Sequence, residues 1–145
     1  MFSGTYTPKL DEKGRLFLPA KFRDEMKEGL VITRGQERAL DIRTQADFHV
    51  FSEKFQNASQ TDARLRGYGR MLFALASEQV PDKQGRVTIT PELRQYAGLG
   101  REAVVIGIYN RIEIWEPRSW ADYTTDQEQT FANLQEEIFP RLQDG

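Results

Sequence analysis

Short runs of alternating apolar and polar side chains fill the first half of the chain, and the same order of runs returns in the second. GTYTPKL, at 4–10, predicts a short strand, followed by a turn at Asp11-Glu12-Lys13-Gly14. RLFLP, at 15–19, alternates with a period of two, which directs Leu16 and Leu18 inward from a half-buried strand. Pro19 fits the first turn of a helix over 20–29 that Gly29 closes. Strands at 30–34 and 39–43 follow, joined by a turn around Gly35. The second half replays this as a turn at 82–85, a strand at 86–90, a helix at 91–98 closed by Gly98, and strands at 103–108 and 112–115. Val87 and Ile89 stand where Leu16 and Leu18 stood.

The recurrence extends to individual residues. DEKGRLFLPAKFR at 11–23 and DKQGRVTITPELR at 82–94 share Asp11/Asp82, Gly14/Gly85, Arg15/Arg86 and Arg23/Arg94, all at an offset of 71 residues. Beyond them Leu40/Ile112, Ile42/Ile114 and Phe48/Trp120 correspond at an offset of 72. The proline is displaced by one place, Pro19 against Pro91, which predicts a differently shaped start for the second helix. Residues 45–76, between the repeats, predict helix, with Leu65, Tyr68, Leu72 and Leu75 at helical spacing. A last helix is predicted from Pro117 to about Phe139, with Pro140 as its stop. Its stripe of Trp120, Tyr123, Phe131, Leu134 and Ile138 suits packing, onto its own chain in preference to a neighbour. Halves of about 70 residues with few short strands are small for separate cores. The expected class is therefore α+β, with repeats at 1–76 and 77–145 sharing one sheet system about a pseudo-twofold axis as one compact unit.

Composition changes this picture little. A chain of 145 residues, 39% hydrophobic and 29% charged, reads as a soluble globular unit. It holds no apolar run near the roughly 18 residues of a membrane span. The opening MFSGTYTPKL lacks the basic and then apolar stretch of a secretory signal. The absence of cysteine excludes a disulfide framework and suits a cytosolic protein. Charge matters more. The net charge of −2 counts against a polyanionic partner, yet six of the 22 acids lie in the last 26 residues. Residues 1–119 carry 19 bases and 16 acids, a mildly basic body ahead of an acidic tail.

No catalytic constellation emerges. His49 is the only histidine and has no motif around it, so a surface or core role is expected. GYG at 67–69 lacks the context of a phosphate loop, and no catalytic residue, metal, cofactor or small-molecule substrate is expected. The repeated turn carries the chemistry. Asp11 and Asp82 can fold a carboxylate back onto backbone N–H groups, and Gly14 and Gly85 supply positive φ. Glycine also permits close approach to a partner, and the guanidinium of Arg15 or Arg86 suits bidentate contact with phosphate or guanine. The alternative is that Arg15 and Arg86 pair with Asp11 and Asp82 to brace their own turns. Lys13 and Lys83 add nearby phosphate candidates. Arg64, Arg66 and Arg70 fit a solvated helix face better than a DNA contact, and Arg23 and Arg94 fit either a site or a structural ion pair.

MFSGTYTPKLDEKGRLFLPAKFR, DKQGRVTITPELRQYAGL and RIEIWEPRSW closely resemble the bacterial MraZ family, over nearly the whole chain. The resemblance implies membership of the AbrB-like DNA-binding group, in which two copies of a β-hairpin unit interleave into one swapped-hairpin barrel. Here one chain would hold both copies, flanked by helices. It further implies a cytoplasmic, nucleoid-associated transcriptional regulator, not an enzyme. Such a regulator would bind repeated promoter sites on double-stranded DNA upstream of the division and cell-wall gene cluster, often as a repressor, as a ring of subunits. Arg15 and Arg86 match the family's DNA-contact arginines, and Asp11, Gly14, Asp82 and Gly85 match its turn-shaping positions. The contrasting possibility is a ring-forming interaction scaffold whose motif arginines bind acidic partners.

Overall fold

The computed structural model describes residues 1–57, 61–134, 138 and 140–142. Among the described residues eight strands and five α-helices, with a 3-10 turn at Gln36–Arg38 between β3 and β4, run in the order β1 (Phe2–Tyr6), β2 (Arg15–Phe17), α1 (Ala20–Met26), β3 (Leu30–Arg34), β4 (Leu40–Thr44), α2 (Gln45–Gln56), α3 (Ala63–Ala74), β5 (Ser77–Gln79), β6 (Arg86–Thr88), α4 (Pro91–Ala97), β7 (Val104–Tyr109), β8 (Arg111–Trp115) and α5 (Pro117–Asn133). The class is α+β. Six strands form one antiparallel sheet in the order β1-β7-β8-β4-β3-β5, and β2 with β6 forms a separate two-stranded ribbon. Among the described residues no ladder joins the outer strands β1 and β5, so the sheet is open at both edges.

The strand order is a palindrome under the repeat. β4 pairs with β8 at the centre, β3 and β7 flank them, and β5 and β1 form the edges. Each edge strand comes from the opposite half: β1 pairs with β7, and β5 pairs with β3. In the ribbon Arg15 faces Thr88, Phe17 faces Arg86, and Leu16 faces Val87. The 71-residue offset exchanges the first two pairs and leaves Leu16–Val87 on the axis. Asp41–Glu113 is the corresponding axial pair between β4 and β8.

One core joins both halves. Leu16, Leu18, Val87 and Ile89 all point inward and are at most 1% exposed. They pack with Phe22 and Met26 of α1, Leu93 and Ala97 of α4, and Leu30, Ile32, Leu40, Ile42, Val105, Ile112 and Ile114 of the sheet. Neither half encloses these side chains alone, which accounts for the shared sheet. On the other face of the sheet Val104, Ile106 and Trp115 are covered by Trp120 and Tyr123 from the start of α5. The Trp120 and Tyr123 rings lie 5.2 and 4.9 Å from Trp115.

Several boundaries depart from the sequence pattern. β1 begins at Phe2 and ends at Tyr6, before Pro8, and the remainder of the predicted strand makes only isolated bridges at Lys9–Glu102 and Leu10–Leu16. The predicted 45–76 helix is two helices, α2 and α3, and Asp62 starts the second by accepting from the N–H groups of Arg64 and Leu65. β5 was not expected, because Ser-Glu-Gln carries no apolar signal and its backbone bonds to β3 alone make it a strand. Pro19 is the N-cap of α1 and lies outside its first turn, whereas Pro91 does occupy the first turn of α4 behind a Thr90 cap. α5 ends at Asn133, ahead of the predicted stop, and Pro140 itself has helical backbone; Phe139 lies outside the described residues. Of the predicted stripe, Trp120 and Tyr123 pack on the sheet, whereas Phe131 is 83% exposed.

Candidate nucleic-acid interface

The two Asp-x-x-Gly-Arg segments fold into the same turn. In the first, Asp11 Oδ1 accepts from the backbone N–H groups of Lys13 and Arg15, both at 2.9 Å. In the second, Asp82 Oδ1 accepts from Gln84 and Arg86, again at 2.9 Å. Gly14 and Gly85 hold φ of +78° and +80°, a left-handed conformation that a side chain disfavours. Different helix starts downstream do not disturb this equivalence.

Each motif arginine is tied to its own aspartate. Arg15 Nε donates to Asp11 Oδ2 at 2.7 Å and Arg86 Nε to Asp82 Oδ2 at 2.8 Å. Arg86 Nη1 also reaches to 4.0 Å from Asp11 Oδ2, so the two turns meet. Bracing of the turns is thus present, and it uses only the Nε edge for hydrogen bonding. The Nη groups of both arginines make no hydrogen bond among the described residues. The carboxylates are held below their ordinary pKa, first by the backbone N–H of Arg15 at Asp11 and of Arg86 at Asp82, with the guanidinium adding to it. They stay ionised as pH falls toward the usual carboxylate range and keep both guanidinium groups oriented.

The glycines are not open to a partner. A Cβ on Gly85 would stand 2.6 Å from Arg23 Nε, and one on Gly14 would stand 3.0 Å from Arg94 Nε. Each glycine face is covered by the arginine of the other repeat's helix. Neither Arg23 nor Arg94 makes the anticipated ion pair among the described residues. Arg23 Nε donates to the Leu18 carbonyl at 2.9 Å, while Arg94 Nε is buried with no hydrogen-bond partner among the described residues. Backbone bonds stitch the turns across the axis: Leu18 N–H to Gly85 O at 3.0 Å, and Ile89 N–H to Gly14 O at 2.8 Å.

The outward face of the ribbon therefore presents Arg15, Phe17, Arg86 and Thr88 between the two turns. Lys13 and Lys83 are exposed beside it, at non-equivalent positions: Lys13 corresponds to Gln84 and Lys83 to Glu12. Arg23 and Arg94, half-buried over the glycines, bring the cations of the ribbon and its turns to six, beside the carboxylates of Asp11, Glu12 and Asp82. Sequence reading missed Phe17, although an apolar residue in the outward phase of a strand was the available signal. His49 lies away on α2, exposed, with Nε2 3.2 Å from Glu53 Oε1.

A second charged group sits on the opposite side of the sheet. Asp41 pairs with Arg43 at 3.4 Å and Arg111 at 3.7 Å, and Arg111 also bonds Glu113 at 3.0 Å. Burial pushes the Asp41 carboxyl up to about 6 against the pull of Arg43. These charges line a cleft of about 460 Å³ with Phe51, Trp115 and Tyr123.

The family model described as "MraZ protein, putative antitoxin-like" matches residues 1–71 and again 72–142. A protein of Parafrankia sp. (strain EAN1pec) called "Transcriptional regulator MraZ" is 54% identical over 140 residues, covering 97% of this chain and 98% of the relative. A protein of the same description from Thermobifida fusca (strain YX) is 53% identical over 140 residues, with the same coverage. One from Leifsonia xyli subsp. xyli (strain CTCB07) is 52% identical over 142 residues, 98% of this chain and 99% of the relative. The chain belongs to the MraZ family, and the family repeat occurs in it twice.

Proposed function

We propose that this MraZ-family chain is a transcriptional regulator whose β2–β6 ribbon and flanking turns bind double-stranded DNA. The observation that carries the reading is the paired guanidinium groups, held at Nε by Asp11 and Asp82 with their Nη edges free of hydrogen bonds. A guanidinium fixed in this way loses little freedom on docking and offers donors to guanine O6 and N7 or to phosphate. Arg15 and Arg86 are the base-reading groups, while Lys13 and Lys83 supply phosphate contacts. Asp11, Gly14, Asp82 and Gly85 set the turns that aim them.

In this proposal the ribbon and sheet are two sides of one swapped-hairpin barrel, with 1–76 and 77–145 as its interleaved repeats. The regulator works in the cytoplasm on the nucleoid, without catalysis or cofactor. Its sites are repeated promoter elements upstream of the division and cell-wall gene cluster, and its action is repression by occupancy. Subunits assemble as a ring, so neighbouring copies on tandem sites gain by effective concentration.

Binding of DNA from upstream of the protein's own gene, compared with shuffled DNA over a salt series, tests this reading. Selective binding with a steep salt slope is expected. Arg15→Ala and Arg86→Ala should each weaken selective binding by about 1–3 kcal/mol and relax specificity at one position. Unchanged binding in both variants removes these arginines from the site.

A further inference from the structure

We infer that Phe17 is a base-reading residue that contacts the C5-methyl group of a thymine in the major groove. Its counterpart Thr88 makes the two halves of the ribbon read unequal half-sites. The inference rests on the reading that the ribbon faces duplex DNA.

The ribbon has four outward positions. Arg15 and Arg86 repeat under the 71-residue offset, whereas Phe17 corresponds to Thr88. Phe17 is 48% exposed, although Phe2 and Phe22 show that the core accepts such rings at 2% and 0%. A single exposed apolar side chain is ordinary. What sets Phe17 apart is its placement between the two motif turns, directly across the ribbon from Arg86. The guanidinium carbons of Arg86 and Arg23 lie 5.8 and 6.0 Å from its ring centroid. That distance is the outer limit of attraction between a cation and a ring face. Two guanidinium groups thus lie within 6.0 Å of the ring on an outward surface, with part of the ring still open to solvent.

A two-stranded ribbon fits the major groove, where a base pair offers one apolar group, the thymine methyl. Phenylalanine beside an arginine gives two complementary readers, one for a methyl and one for guanine acceptors. Thr88 presents a smaller methyl and a hydroxyl, so it covers less apolar surface in the matching half-site. A chain with an internal pseudo-twofold axis thereby gains a preferred orientation on DNA.

Uracil scanning tests this. Each thymine of the preferred upstream duplex is replaced in turn by uracil, which deletes only the methyl, and affinities are measured for wild type, Phe17→Ala and Phe17→Thr. At one thymine the wild type should lose about fourfold, the worth of one buried methyl-sized group. Phe17→Ala should lose nothing further there and Phe17→Thr should lose less than the wild type, while both keep any methyl dependence elsewhere. A purely structural role for Phe17 would weaken all duplexes alike and leave the methyl dependence intact, which overturns the inference. So would a wild type that binds selectively with no methyl-sensitive position, an outcome under which the DNA reading itself stands. Equal binding of upstream and shuffled DNA by the wild type would overturn both.

Discussion

If each turn glycine is locked by an arginine from the other repeat, then Gly85 and Arg23 must be energetically coupled, and Gly14 and Arg94 far less so. Alanine at Gly85 places a side chain at φ +80°, which costs about 1–2 kcal/mol. Its Cβ would lie 2.6 Å from Arg23 Nε and 2.8 Å from Cδ, so Arg23 must move and release the Leu18 carbonyl. That release costs about another 1 kcal/mol, giving about 2–3 kcal/mol for Gly85→Ala. Arg23→Ala alone loses the same hydrogen bond and its contact with Phe17, about 1–2 kcal/mol. The double variant loses the bond once, and its loss should fall short of the sum of the singles by about 1 kcal/mol or more.

The contrast lies at Gly14. There a Cβ meets the Ile89 backbone oxygen at 2.9 Å, which no side-chain substitution clears, and Arg94 Nε has no hydrogen bond to lose. Gly14→Ala with Arg94→Ala should therefore show little favourable coupling. Urea unfolding followed by circular dichroism, with m checked for constancy, measures all six variants. Additivity within about 0.5 kcal/mol at Gly85–Arg23 would refute the interlock, as would equal rescue at both sites.

Two further outcomes follow from the opposite side of the sheet. Asp41 has a folded pKa raised to about 6, so the folded state binds more protons than the unfolded one between about pH 4 and 6, and its contribution to stability declines as pH rises through that window. Asp41→Asn should remove this decline in a pH series of thermal unfolding; an unaltered profile would assign the slope to another group. Trp120→Ala, which strips a partly buried ring from Trp115, should cost about 2 kcal/mol. Phe131→Ala, at a site 83% exposed, should stay within about 0.5 kcal/mol by the same unfolding assay.

The sequence alone determined the duplication and most of the local elements that carry it. Alternation placed Leu16, Leu18, Val87 and Ile89 in the core, where all four are buried. The offset of 71 residues singled out Asp11, Gly14, Arg15, Arg23 and their partners, and the two turns are superimposable in their hydrogen bonds. These features were legible because they are local: alternation, turn chemistry and positive φ depend on residues a few places apart.

What only the tertiary structure decided involves pairs far apart in the chain. That β1 joins β7 while β5 joins β3, and that a strand exists at Ser77–Gln79 at all, follows from backbone groups of a distant strand needing partners. That Arg23 covers Gly85 and Arg94 covers Gly14, and that Phe17 faces outward beside Arg86, follows from the antiparallel register of two strands about 70 residues apart. The repeat made two equal turns legible, but only packing across the pseudo-twofold axis joined them into one surface and left Phe17 opposite an arginine and Thr88 in its mirror place.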